Sequence, residues 1–235
     1  MSGPFGGGST SKLDYINLGR NEMESIDDWI STGTNDTAAQ AVDATYGTHM
    51  TITLGGADND EGSLVLDRGA VFHPVSGDKF DVEGLVKLTE AATNNIDFGF
   101  GFFDALEDTF SDTAATLVTT TDHLLVCKFA ESLFWRGAFG NDSTQVQSGA
   151  TTTAMASGTW YRLRITGEVQ TDGLHARFYV DEKVIYTIGY GSTVSPQSVT
   201  GFTGMYFGVT IKATNTNAEV AAFLPIKCEI NQSGV

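Results

Sequence analysis

Strict alternation of apolar and polar residues in the segment TWYRLRITGEVQTDGLHARFYVDEKVIYT, residues 159–187, constrains the fold more than any other feature of the chain. Before the turn QTDG, Tyr161 and Leu163 share one face, and after it Phe178 and Val180 share one face. A period of two residues is that of a β-strand, because successive side chains of a strand point to opposite sides. The segment therefore predicts a hairpin with one face packed on an apolar core.

The same alternation recurs along most of the chain. Runs such as HMTITLGG, DKFDVEGLVKLTEA and HLLVCKF alternate, whereas NEMESIDDWI spaces its apolar residues like a short helical turn. The 27 Gly and 4 Pro among 235 residues indicate many tight turns. About a dozen strands joined by short turns predict an all-β protein, a single-domain antiparallel β-sandwich of the jelly-roll type.

The N-terminus differs in composition from the rest. Residues 1–20 begin with MSGPFGGGSTSK, in which Phe5 is the one aromatic residue. Such a sequence buries too little apolar surface to offset the entropy lost on ordering. We therefore expect a flexible Gly/Ser-rich arm over 1–20 and one jelly-roll domain over 21–235. If the arm orders against a neighbouring subunit, Phe5 is its anchor.

Charge and hydropathy exclude two classes of partner. The formal net charge is −16, from 29 acidic and 13 basic residues, and such a surface repels phosphate backbones. The N-terminus has no apolar signal-peptide core, and no run of about 18 apolar residues occurs. We expect no nucleic-acid partner, no membrane association and synthesis in the cytosol.

Four stretches together resemble a known group of proteins: the segment around Trp29 and Gly33, residues 58–91, residues 98–109, and the hairpin at 159–187. The hairpin is similar to that of concanavalin A-like, laminin-G-like jelly rolls. The ensemble resembles structural proteins of tailed bacteriophages with that fold, of the head-decoration or head-fibre type. The resemblance implies a non-enzymatic virion protein on the capsid surface, made in the host cytoplasm. Its implied partners are the major capsid protein and copies of itself, as a dimer or trimer.

The sequence lacks the residue patterns that catalysis on this superfold would need. Retaining glucanases of this superfold need two carboxylates about 5–5.5 Å apart on one strand face, but in NNIDFGFGF Asp97 stands alone. No G-x-S-x-G or P-loop motif occurs. The four histidines are scattered and do not form a metal-ligand spacing, namely His49, His73, His123 and His175. We expect neither enzymatic activity nor a cofactor.

Two acidic loops are weak candidates for calcium, which needs six to eight oxygen ligands. One contains Asp58, Asp60 and Glu61; the other contains Asp104, Glu107 and Asp108. Neither has the EF-hand spacing, and a solvated acidic loop is the simpler interpretation. We expect no metal.

Carbohydrate binding is the alternative function, as an adhesion module on the same fold. A metal-free sugar site needs an aromatic platform beside polar groups, and SLFWRGAFGNDS offers Trp135, Arg136 and Asn141. Alternation places at least one aromatic residue of this run in the core.

The hairpin carries a second candidate surface. Trp160, Arg162 and Arg164 share the polar face of its first strand, and Arg177 and Tyr179 share that of its second. In so acidic a chain, we expect the arginines to pair with the protein's own carboxylates. The alternative is a contact surface for an acidic partner, flanked by the two aromatic rings.

Cys127 and Cys228 each fall on the apolar side of a strand-like run. Two buried thiols are the favoured interpretation, and a single bridge across the sandwich is the alternative.

Overall fold

The structure is a computed structural model, and it describes residues 15–19, 23, 25–90, 95–107, 109–111, 116–141, 144–202 and 204–232. Within these ranges the strands are β1 (Tyr15–Gly19), β2 (Trp29–Thr34), β3 (Asp36–Asp43), β4 (Gly47–Leu54), β5 (Glu61–Leu66), β6 (Lys79–Thr89), β7 (Ile96–Phe103), β8 (His123–Lys128), β9 (Arg136–Asn141), β10 (Thr144–Gln147), β11 (Trp160–Gln170), β12 (Gly173–Val180), β13 (Lys183–Ile188), β14 (Tyr206–Ala213) and β15 (Val220–Asn231). One turn of 3₁₀ helix, Ile26–Asp28, follows the N-cap Ser25. None of the helical structure in this part of the chain is long and apolar enough to cross a membrane.

The strands form two antiparallel sheets. Sheet A has the order β13-β12-β11-β6-β15-β4-β3, and β1 also pairs with β15. Sheet B has the order β10-β9-β8-β7-β14-β5-β2. The predicted β-sandwich is therefore confirmed, and the hairpin of residues 159–187 supplies β11, β12 and most of β13 at one edge of sheet A.

The two sheets enclose an aromatic core. Phe100 and Phe102 of β7 lie against Phe207 of β14, with ring centroids 5.8 and 5.9 Å apart. Trp29 of β2 lies 5.2 Å from Phe223 of β15 and joins the two sheets. These side chains are on the apolar parity of their strands, so the period of two residues explains the core directly.

A second apolar cluster covers the outer face of sheet B. Phe110 and Leu117, from the segment between β7 and β8, pack on Phe103, Leu125 and other outward side chains of the sheet. Gly99 of β7 lies beneath this cover, whereas the Cβ position of Gly101 is directed at Leu124 and at Ile165 of β11 in the core. A Cβ on Gly99 would touch the Phe110 ring, and one on Gly101 would collide with the carbonyl oxygen of Leu124. The glycine side of β7 thus permits the close approach that the sequence indicated.

A buried ion pair joins the sheets at one end of the sandwich. Lys128 Nζ, at the end of β8, lies 2.7 Å from Glu90 Oε1, just after β6, and both side chains are almost fully buried. Lys128 also donates to the Ile96 carbonyl at 3.0 Å, and Glu90 Oε1 accepts from the backbone N–H of Asn95 and Ile96. All charges in this cluster therefore have partners.

The ordered part of the domain begins earlier than predicted. Tyr15–Gly19 form β1, which runs antiparallel to the end of β15 with Tyr15 opposite Asn231. The expected arm of residues 1–20 thus includes a strand, because the alternating run YINLG completes the edge of β15. Residues 1–14, with Phe5, lie outside the described residues.

Candidate functional site

The outer face of sheet A carries a lattice of opposite charges, here called the charged face and consisting of Asp81, Glu83, Arg162, Arg164 and Lys227. β11 pairs with β6 so that Arg164 lies opposite Glu83, and β15 pairs with β6 so that Lys227 also lies opposite Glu83. Alternation turns these side chains away from the core. The register therefore converts five separate residues of three strands into one polar surface.

Carboxylates hold both arginines of the charged face. Arg164 donates from Nε and Nη2 to the two oxygens of Asp81, at 2.8 and 2.6 Å, which is the bidentate geometry of a strong ion pair. Arg162 donates from Nε to Glu83 Oε1. Lys227 Nζ completes the lattice at 2.7 Å from Asp81 Oδ2. The side chains of both arginines remain about two-fifths exposed, at 43% and 41%.

The pKa shifts agree with these contacts. Partial burial would raise the pKa of Asp81, but hydrogen bonds from Arg164 and Lys227 outweigh it, so the pKa lies below its ordinary value. The hydrogen bond to Glu83 raises the pKa of Arg162, and that to Asp81 raises the pKa of Arg164. Asp81, Arg162 and Arg164 are therefore ionised at neutral pH.

A depression of about 270 Å³ lies in the charged face, lined by Glu83, Arg162, Arg164, Tyr179 and Glu182. The Tyr179 ring lies 5.7 Å from the Arg164 guanidinium. The rim is formed by the turn between β12 and β13, where Asp181 and Glu182 have φ of +48° and +66°.

The turn at this rim is held in place by β11. Asp181 N–H donates to the Arg162 carbonyl at 2.8 Å, and Asp181 Oδ1 accepts from the Arg162 N–H at 2.9 Å. Glu182 then places its carboxylate 2.8 Å from Arg162 Nη1. A glutamate at positive φ is uncommon, because its Cβ crowds the backbone there. In a two-residue hairpin loop, however, positive φ at both positions is the geometry of a type I′ turn, and this turn fixes the position of the rim.

An aromatic cluster lies farther along the same face of sheet A. This aromatic corner consists of Asp43, Tyr46, His49, Lys87 and Trp160. The Trp160 ring lies 5.4 Å from that of Tyr46 and 5.2 Å from that of His49, and Lys87 Nζ lies 4.8 Å from its centroid. The Tyr46 side chain belongs to the exposed large hydrophobic residues, at 37%.

Asp43 fixes the geometry of the aromatic corner. Its carboxylate accepts from the backbone N–H of Thr45 and Tyr46, at 2.8 and 3.2 Å, and from Trp160 Nε1 at 3.1 Å. The bond from Thr45, followed by that from Trp160, lowers the pKa of Asp43 to about 2. One carboxylate thus ties the turn that carries Tyr46 to the first residue of β11.

The expectation that arginines pair with the protein's own carboxylates is confirmed for Arg162 and Arg164. Arg177 is separate from the charged face, with its guanidinium 4.3 Å from the centroid of the Tyr190 ring. Tyr179 lines the depression, whereas Trp160 belongs to the aromatic corner.

The predicted sugar site at Trp135, Arg136 and Asn141 does not form. Trp135 is completely buried and packs on Phe98 and Tyr161, because its side of the run faces the core. Arg136, on the opposite parity, reaches the Ser148 carbonyl. Asn141 Nδ2 donates to the Ser198 and Thr200 carbonyls and so anchors a loop.

The structure does not gather the acidic loop residues into a calcium site. Asp60 is buried and accepts from Asn35 and the Ala57 N–H, while Asp58 beside it is exposed. Glu61 lies 3.7 Å from Lys212. Among the described residues, no three His, Cys, Asp or Glu side chains are placed to hold a metal ion.

The second acidic loop is likewise dispersed. Asp104 accepts from the Asp122 N–H at 3.0 Å, and Glu107 is exposed. Asp108 lies outside the described residues.

Both cysteines are buried free thiols, so the favoured interpretation is confirmed and the bridge is wrong. Cys127 lies in the cluster outside sheet B and Cys228 in the core between the sheets. Burial raises the pKa of each thiol to about 12, which makes both unreactive.

The strand that would carry the carboxylates of a glucanase is closed to solvent. Asp97 is buried, accepts from the Ala130 N–H at 2.7 Å, and has its pKa raised by burial to about 6. The cluster around Phe110 covers the sheet beside it. The outer face of sheet A, in contrast, carries partly exposed polar side chains such as Arg162 and Arg164.

Sequence reasoning missed several residues of these two surfaces. The sequence pattern does not assign Asp81, Glu83 or Glu182 to particular arginines, and it does not single out Asp43 or Tyr46. The signal available was parity: Asp81, Glu83 and Lys87 share the polar side of β6. Parity alone does not reveal that β6 lies beside β11.

Together, the two sheets and their order define a concanavalin A-like β-sandwich. Similar structures are the Emp47p carbohydrate recognition domain and a protein of unknown function from Shewanella oneidensis MR-1. The first is 18% identical over 97% of this chain and 100% of that chain, with a TM-score of 0.56. The second is 13% identical over 94% and 88%, with a TM-score of 0.57.

A third similar structure is a carbohydrate esterase from the Shiga toxin-encoding bacteriophage phi24B. It is 15% identical over 92% of this chain and 98% of that chain, with a TM-score of 0.53. At these identities the likeness shows the fold alone. No protein-family model and no curated protein matches the sequence.

Proposed function

We propose that this protein is a non-enzymatic carbohydrate-binding module whose binding surface is the charged face of sheet A. The observation that carries the proposal is the depression lined by Glu83, Arg162, Arg164, Tyr179 and Glu182. It combines an aromatic ring with charged groups held by ion pairs, and these groups can donate to and accept from sugar hydroxyls. The fold it shares with the Emp47p carbohydrate recognition domain supports the same class.

The hydrogen-bonding capacity of the depression fits sugar hydroxyls. A guanidinium has five N–H donors, and the ion pairs described above use two donors of each arginine. Carboxylate oxygens of Glu83 and Glu182 accept from hydroxyls, while the guanidinium N–H groups donate to them. Because the ion pairs fix these groups before a ligand arrives, little side-chain entropy is lost on binding.

A glycan array followed by isothermal titration calorimetry tests this proposal. Tyr179→Ala removes the ring of the depression, and we expect its affinity for a glycan bound by the wild type to fall about tenfold. Glu182→Gly removes the rim carboxylate and suits the positive φ of that position, so it weakens binding without unfolding the hairpin. Val75→Ala, a change at an exposed position in the loop before β6 and outside the depression, is the control. An array without any bound glycan, or unchanged affinity in both variants, refutes the proposal.

The proposal that the protein is not an enzyme has its own test. Glycans bound on the array are incubated with the protein, and the release of reducing sugar and of acyl groups is measured. We expect the glycans to be recovered intact. Turnover that survives extensive purification contradicts this part of the proposal.

The second candidate function is that of a virion structural protein on the outer surface of a phage capsid, with the major capsid protein and further copies of itself as partners. It is supported by the sequence resemblance and by the similar fold of a phage-encoded protein. Many weak contacts made by several copies would supply the attachment. We expect the purified protein to co-sediment with undecorated capsids; failure to do so, at concentrations that saturate a known decoration protein, contradicts this function.

A further inference from the structure

The depression and the aromatic corner lie on one continuous face of sheet A. Trp160, Arg162 and Arg164 occupy alternate positions of β11 and share its outer side. Trp160 lies opposite Lys87 on β6, and Arg164 lies opposite Tyr179 on β12. At about 3.3 Å per residue along a strand and about 4.8 Å between strands, the Trp160 and Tyr179 backbones are roughly 14 Å apart. This distance exceeds the width of one pyranose ring.

We infer that the outer face of sheet A binds a linear, uncharged oligosaccharide that extends from the depression to the aromatic corner, where Tyr46 stacks on a separate sugar of the same chain. This inference rests on the proposed function and names the class of glycan. An isolated monosaccharide would fill the depression and leave the aromatic corner empty.

The two ends of this surface are equipped for different contacts. The depression holds fixed charges that exchange hydrogen bonds with hydroxyls. The aromatic corner presents the Tyr46 ring at 37% exposure and orients it through the bonds of Thr45 and Tyr46 N–H to Asp43. Trp160 supports this ring from the side at 5.4 Å between centroids. A preorganised ring beside a hydroxyl-binding depression matches the alternation of apolar ring faces and polar edges along a sugar chain.

The charges on this face favour an uncharged ligand. Arg162 is paired with Glu83 and Glu182, Arg164 with Asp81, and Lys87 with Asp43. A carboxylated or sulfated glycan would have to compete with these internal carboxylates. It would also approach a protein whose formal net charge is −16. Hydroxyls, in contrast, bond to the donors and acceptors without breaking the ion pairs.

The test measures affinity against chain length with three neutral series: cellobiose to cellohexaose, maltose to maltohexaose, and the N-acetylated chito-oligosaccharides of the same lengths. We expect at least one series to bind about tenfold more tightly at its long end than as the disaccharide, which corresponds to one additional stacked ring. Tyr46→Ala should abolish this gain while leaving the affinity for the disaccharide unchanged. Tyr46→Phe, which keeps the ring, should retain the gain.

The outcomes separate this inference from the proposed function. Affinity that does not depend on chain length, or a gain that survives in Tyr46→Ala, overturns the extended site and leaves a single-sugar site in the depression. If all three neutral series fail to bind but a charged glycan on the array does, the inference is wrong and the proposed function stands. If the array is also blank, both fail.

Discussion

Replacement of Lys128 by methionine tests whether the buried ion pair between the sheets is a coupled unit. Lys128 Nζ lies 2.7 Å from Glu90 Oε1, and the two side chains are 0% and 2% exposed. Methionine keeps the length and apolar stem of lysine but removes the ammonium group, so Glu90 loses the positive charge of this ion pair while its side chain stays buried. Removal of one partner from such a pair costs about 3–5 kcal/mol, because an uncompensated charge stays buried.

The expected loss can be converted into a melting temperature. For a chain of this size, 1 kcal/mol corresponds to about 2–4 °C, so a loss of about 4 kcal/mol lowers the Tm by about 8–16 °C. Glu90→Gln still accepts the backbone N–H groups of Asn95 and Ile96, but it removes the carboxylate to which the Lys128 ammonium is hydrogen-bonded. The double variant Lys128→Met/Glu90→Gln contains no buried charge at either position. We expect it to be more stable than Lys128→Met alone.

The assay is urea unfolding at pH 7, followed by tryptophan fluorescence, for the wild type, both single variants and the double variant. The double-mutant cycle gives the coupling energy directly, and we expect at least about 2 kcal/mol. Additive losses, or a loss below about 1 kcal/mol in Lys128→Met, would refute the reasoning. Burial lowers the pKa of Lys128, although the hydrogen bond to Glu90 opposes this shift. An additive cycle would therefore indicate that Lys128 is neutral in the folded protein.

Three further predictions concern buried groups. Burial raises the pKa of Asp97 from 3.8 to about 6, so the folded state binds this proton more tightly than the unfolded state. The folded protein therefore loses stability as the pH rises from 3.8 to about 6. Asp97→Asn should be more stable than the wild type at pH 7. Burial lowers the pKa of His123 from 6.5 to about 4, so the unfolded state takes up a proton there first. The stability of the folded protein therefore falls as the pH drops from 6.5 to about 4. His123→Gln should lose less stability than the wild type over this range. Urea midpoints across this pH range measure both effects, and profiles parallel to that of the wild type would contradict them. Gly101 has φ +140° and no room for a Cβ, so Gly101→Ala should destabilise the fold by more than about 2 kcal/mol. Gly149 lies in open space, and Gly149→Ala should leave the stability unchanged. Similar urea midpoints for the two variants would show that the backbone at Gly101 relaxes freely.

Parity explains why much of the fold could be predicted from the sequence. In the hairpin, Tyr161, Leu163, Ile165 and Val169 are buried, as the alternation requires, and only Gly167 on the same face between them is half-buried. β3 shows where this reasoning stops. Its sequence DTAAQAVD has small side chains and few strand-forming residues, and it is a strand because it pairs with β4 along its whole length. Tertiary pairing thus overrides local preference there.

The candidate site was predictable only in part, because it depends on which strands are neighbours. The arginines and the acidic character of the chain predicted internal ion pairs, but the choice of Asp81 and Glu83 depends on the register between β6 and β11. The aromatic corner depends on contacts more than a hundred positions apart in sequence, such as Trp160 with Asp43. Trp135 is an example of a predicted site residue that is not at the surface. It is adjacent to polar residues in the sequence, but the alternation of its own segment directs its side chain into the core.

The pairing of β1 with β15 determines how the domain responds to mechanical force. Tyr15 and Asn231 are opposite each other at the adjacent ends of two antiparallel strands. A force that separates these two residues acts on one hydrogen-bonded residue pair at a time. It does not load all the pairs between β1 and β15 together, as a force along the strands would. β1 would therefore detach from β15 before tension reaches the other strands, and the rest of the sandwich would stay folded.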